Sequence, residues 1–67
     1  MITINELVFL TEGGIKSRGE EQIPRDYIVE AAEILLEGHD EPEARYPNGM
    51  PTLISVANLA RRMYEGG

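Results

Sequence analysis

The stretch Thr3 to Arg18, TINELVFLTEGGIKSR, decides the fold, because it reads either as a helix or as a hairpin. Thr3 followed by Glu6 fits a capping box, in which the threonine satisfies a free N–H of the first turn and the glutamate reaches back to the cap. Ile2 and Leu7 hold the flanking positions where a hydrophobic staple forms. Ile4, Leu7, Val8 and Thr11 recur at helical spacing, and Gly13-Gly14 offers a left-handed stop. The spacing predicts a helix over 4–12. The competing reading is a strand: Val8, Phe9 and Ile15 favour β structure, and Gly13-Gly14 would then turn a hairpin with Ile15 to Arg18 returning. Helix is preferred because the cap and the apolar period agree.

Beyond it, residues 13–23 (GGIKSRGEEQI) are a polar, glycine-rich connection. Pro24 suits the first turn of a second helix, where its missing N–H would be unpaired anyway, and Asp26 favours the positive end of the helix dipole. Tyr27, Ile28, Ala31, Ala32, Ile34 and Leu35 make a broad apolar face closed by Gly38, which predicts a helix over 24–37. The connection 38–50 (GHDEPEARYPNGM) is long, and connections beyond about 12 residues tend to be functional or mobile. Within it Tyr46-Pro47-Asn48-Gly49 reads as a β-turn. A third helix opens at Pro51 or Thr52 and ends at Gly66, with Leu53, Val56, Ala57, Ala60, Met63 and Tyr64 facing one way. Ser55, Asn58 and Arg62 line another face, and Arg61-Arg62 stand near the C-terminus, where cations are favoured. The expected architecture is one all-α domain over 1–67, three helices with two long connections. The alternative is α+β, an N-terminal β-hairpin followed by two helices.

The composition narrows the functions. A chain of 67 residues buries only about 60% of its unfolded surface and has little stability to spare. It contains no cysteine, so disulfides and thiolate zinc sites are excluded, and a reduced compartment is expected. The 42% apolar share is too high for an intrinsically disordered chain. Its longest apolar run, Leu7 to Leu10, falls far short of the roughly 18 residues of a membrane span. A cytoplasmic location is expected. Ser17, Ser55, the threonines and a single histidine show no nucleophile-and-base spacing, and no phosphate-binding glycine loop is present, so no enzymatic activity is expected. His39-Asp40-Glu41 with Glu43 matches no metal-loop spacing, and neither a metal nor a cofactor is expected.

Charge is the most informative feature. The chain has 12 acids and 6 bases. Nine of the acids and one base lie between Glu20 and Glu43, which makes that block −8. Asp26, Glu30, Glu33 and Glu37 are spaced i, i+4, i+7 and i+11, so on a helix they form one stripe about 16 Å long, with neighbours near the spacing of phosphates along a nucleic-acid strand. Such a stripe is also what the solvated side of any amphipathic helix shows, though here no cation is interleaved after Arg25. Glu20 and Glu21 before the helix and Asp40, Glu41 and Glu43 after it extend the stripe, and Arg45-Tyr46 offers an adjoining pair of the residue types enriched at interface hot spots. Tyr46 equally suits a role covering the small core.

These observations point to a non-enzymatic, acidic binding module that docks on a basic protein surface, one that normally holds nucleic acid, with Asp26, Glu30, Glu33, Glu37, Asp40, Glu41, Glu43, Arg45 and Tyr46 as the contact residues. Size and charge, not a motif, liken it to phage-encoded DNA mimics such as anti-CRISPR and anti-restriction inhibitors. Direct nucleic-acid binding is disfavoured by the charge. Two alternatives stand beside it: a small helical domain that homodimerises through apolar surface left on the first and third helices, and a helix-turn-helix-like regulator. The latter would have its arginines at the wrong end of the recognition helix and too long a connection before it.

Overall fold

A computed structural model describes residues 3–66 as three helices, α1 (Ile4–Ser17), α2 (Arg25–Leu36) and α3 (Leu53–Gly66). The domain is all-α. Among the described residues there is no strand, only an isolated antiparallel bridge between Arg45 and Pro51, and the hairpin alternative is not supported.

The first helix starts where its cap requires. Thr3 is extended, and its Oγ1 accepts the Glu6 N–H at 3.2 Å while its hydroxyl donates to the Glu6 carboxylate at 3.3 Å. Glu6 thus meets the threonine hydroxyl. The Ile2 half of the expected staple lies outside the described residues.

Gly13-Gly14 does not stop α1, as the sequence had indicated; the helix continues through both to Ser17. The reason lies on α3. A Cβ on Gly14 would stand 2.7 Å from Leu53 Cδ1, so the glycine leaves room for the first side chain of α3 to lie against α1. Continuing the helix also carries Ile15 fully into the core. The stop comes at Gly19, whose φ is +69°. There the Glu20 N–H donates to the Ile15 carbonyl and the Gly19 N–H to the Lys16 carbonyl, each at 3.1 Å, the paired bonds of a Schellman motif. Gly38, with φ +81°, closes α2 in the same way, through His39 N–H to Ile34 and Gly38 N–H to Leu35. Pro24 caps α2 instead of opening it, and the helix is one residue shorter than expected at each end.

The core combines Leu7, Val8 and Ile15 of α1, Ile28, Ala31, Ala32 and Leu35 of α2, and Val56, Ala57, Leu59 and Ala60 of α3, with Ile23 added by the first connection. Alanines on both α2 and α3 let those backbones approach closely, so a small chain reaches dense packing without large side chains. At the rim Tyr27 and Tyr64 meet edge to face, with ring centroids 5.3 Å apart. Thr11, buried on α1, donates its hydroxyl to the Leu7 carbonyl at 2.7 Å.

Ser55 reverses its expected place. It is 1% exposed, not on a polar face. Its Oγ accepts the Ala44 N–H at 3.1 Å and donates to the Ala44 carbonyl at 3.0 Å. With that proton committed, the Thr52 hydroxyl 3.1 Å away must donate to Ser55, while Thr52 Oγ1 accepts the Ser55 N–H and so caps α3. One buried hydroxyl therefore clasps the second connection to the start of α3. The expected turn follows it: Gly49 N–H donates to the Tyr46 carbonyl at 2.9 Å, and Gly49 has φ +89°.

Ser55→Ala leaves both Ala44 backbone groups short of this partner and should lower the unfolding free energy by about 1–3 kcal/mol, read from urea denaturation followed by circular dichroism. Gly13, with nothing within 4 Å of an added Cβ, and Gly14 should differ in the same assay. Gly13→Ala should stabilise by about 0.5–1 kcal/mol, and Gly14→Ala should gain less because the Leu53 methyl must move.

Candidate functional site

The buried positions of α2 are Ile28, Ala31, Ala32 and Leu35. Helical geometry puts Asp26, Glu30, Glu33 and the cap residue Glu37 on the side facing away from them, and all four are exposed. Asp26, Glu30 and Glu33 have no cation within ion-pair distance among the described residues, and Glu37 meets only the His39 imidazole, at 3.7 Å.

The arginines are engaged elsewhere. Arg18 pairs with Glu20 at 3.1 Å, Arg25 with Glu12 at 3.7 Å, and Arg45 with Glu41, Arg61 with Glu20 and Arg62 with Glu43 at 3.8 Å each. The −8 block therefore contracts. Of the acids read from the sequence as extending the stripe, Glu41 and Glu43 each face an arginine, and Asp40 accepts the Glu41 N–H at 2.9 Å. The outer face of α2 stays uncompensated, as do Glu21 and Asp40 in the flanking connections, which meet no cation among the described residues.

Glu20 shows the effect of the pairing. The hydrogen bond from Arg18 holds its carboxyl below the usual carboxylate value against desolvation, with the charges of Arg18 and Arg61 adding to it. A depressed folded value means that its contribution to stability is present above the ordinary carboxylate range and is lost as pH falls through the lowered value.

Arg45 and Tyr46 are turned to structural work. Arg45 donates to the Gly49 carbonyl at 2.7 Å across the turn. Tyr46 is half-buried, and its hydroxyl accepts the Leu53 N–H at 3.3 Å, at the first turn of α3. Arg61 donates to the Glu21 carbonyl at 2.7 Å, tying α3 to the first connection, and Asn58 donates to Glu43 beside Arg62.

A second exposed surface went unread in the sequence. Phe9 and Leu10 stand on the outer side of α1, where with Asn5 and Glu6 they line a shallow groove of about 300 Å³. The signal was available: both fall outside the Ile4, Leu7, Val8, Thr11 period that marks the buried side. Among the described residues no group of three or more His, Cys, Asp or Glu is placed to hold a metal ion, and no helix is long and apolar enough to cross a membrane.

Like charges three and four residues apart on α2 cost stability, about 0.2–0.5 kcal/mol per pair. Glu33→Lys should therefore raise the melting temperature slightly in thermal unfolding, while placing a cation in the middle of the stripe. Comparison with protein-family models, with curated proteins and with solved structures returned no match.

Proposed function

We propose that the chain is a non-enzymatic binding module whose α2 face, Asp26, Glu30, Glu33 and Glu37, docks on a basic protein surface that otherwise holds nucleic acid. One observation carries this reading: every arginine of the chain is drawn to an acid elsewhere, and the carboxylates of one exposed helix face are left uncompensated. Four carboxylates in a row about 16 Å long resemble a short run of backbone phosphates in charge and spacing. The partner is a nucleic-acid-binding protein, and the module acts as an inhibitor by occupying its phosphate-binding groove. DNA-mimicking phage inhibitors, of the anti-CRISPR or anti-restriction kind, are the nearest functional analogy for a cytoplasmic protein of this size and charge, and the analogy rests on size and charge alone. Asp40 extends the contact row at the end of α2, with Glu41, Glu43, Arg45 and Tyr46 at its margin.

The helix-turn-helix alternative loses support from the same pairing. Arg61 and Arg62, the cations it would present to a phosphate backbone, are each held by an acid of the chain.

Electrostatic docking of this type is fast and salt-sensitive. Host-cell lysate passed at low salt over the immobilised chain should yield a basic protein that elutes as salt rises and that duplex DNA competes away. The Glu30→Lys, Glu33→Lys, Glu37→Lys triple variant should capture none of it. Undiminished capture by the folded triple variant would exclude the α2 face.

A further inference from the structure

Phe9 is the only phenylalanine of the chain and, at 71% exposure, the barest large apolar side chain among the described residues. A lone exposed apolar residue needs no explanation, but the rest of the same face agrees with it. Leu7, Val8, Thr11 and Ile15 mark the inner side of α1. At about 100° per residue, Asn5, Glu6, Phe9, Gly13, Lys16 and Ser17 share the outer side, with the exposed Leu10 at its edge. Gly14 is explained by Leu53, whereas nothing in the fold comes within 4 Å of a Cβ placed on Gly13. Lys16 is the one Lys or Arg with no carboxylate partner among the described residues.

The face is also complementary to its own reversal. Positions 5 and 17, 6 and 16, and 9 and 13 are all centred on position 11. In a two-fold arrangement a patch must match itself in this way, residue i against j and j against i. We propose that α1 is a self-association surface, on which a second copy of the chain packs antiparallel about a two-fold axis near position 11. Phe9 of each copy then fills the space above Gly13 of the other, and Glu6 of each lies beside Lys16 of the other. Parallel packing would set Glu6 against Glu6 and Lys16 against Lys16, so the charges select the antiparallel register. The seam from position 6 to 16 is about 15 Å long, and a single helix face makes a small interface, so the dimer is weak and concentration-dependent.

This surface shares no residue with the acidic face of α2, so the two readings fail separately. Sedimentation of the full chain from about 1 µM to about 1 mM at near-physiological salt should show monomer giving way to dimer. Gly13→Leu is the decisive variant, because the fold has room for the side chain. It should stay helical by circular dichroism and weaken association by about tenfold or more, and Lys16→Glu should weaken it comparably. The Glu30→Lys, Glu33→Lys, Glu37→Lys variant should still associate. The absence of native cysteine allows the register to be read directly. An oxidised mixture of Asn5→Cys and Ser17→Cys chains should cross-link mainly Cys to Cys between the two variants, not within either. A chain monomeric at the highest concentration, a folded Gly13→Leu variant that associates like the wild type, loss of association in the α2 triple variant, or a preference for like-to-like cross-links would each overturn the proposal.

Discussion

The close approach of α3 to α1 at Gly14 governs the rest of the structure. Leu53 occupies the place a side chain would take there, which holds only if α1 is still helical at that point. The added turn buries Ile15 and moves the exit of the chain to Gly19. The first connection is thereby confined to 18–24, and Ile23 within it joins the core instead of lying on a long polar loop. Arg61 on α3 then reaches the Glu21 carbonyl and pins that connection from the opposite side. In so small a chain, glycine and alanine make room at the contacts between helices for the large buried side chains Leu7, Ile15 and Ile28.

The same packing distributes the charge. The connections that join the helices also bring Glu20 to Arg61 and Glu43 to Arg62, so acids and bases that are remote in sequence become neighbours. Individually such exposed pairs add little stability. Their effect on the surface is larger, because each one removes an acid and a base together from the field a partner would meet. After the subtraction, the outer side of α2 keeps Asp26, Glu30 and Glu33 without a cation partner among the described residues, and like charges at helical spacing slightly oppose the helix that carries them.

What could be read from the chain follows the range of the interactions. The helix count, the apolar side of α2, the turn at Pro47 to Gly49 and the carboxylate stripe all rest on spacings within one element, and these are visible in one dimension. Gly13-Gly14 was misread because a glycine that stops a helix and a glycine that admits a neighbour look alike until the neighbour, Leu53, is known. Ser55 was misplaced for a related cause. A small hydroxyl on an amphipathic helix reads as solvent-facing unless its partner, the Ala44 backbone, is in view. Glu43 appeared to extend the stripe because its arginine, Arg62, sits on α3, whereas Glu41 is met by Arg45 within the same connection.

The two outward surfaces bear on each other without overlapping. An isologous dimer cannot form through α2, since a two-fold axis there would oppose carboxylate to carboxylate. Pairing through α1 leaves that obstacle aside, because Phe9 and the α2 carboxylates each lie on the side of their helix away from the core. A dimer built on α1 therefore presents two acidic faces at a fixed separation. Against a target with one basic groove it gains nothing over the monomer. Against a target that is itself two-fold, the second docking event becomes intramolecular, and a weak single contact is strengthened by effective concentration with no new interaction at either groove.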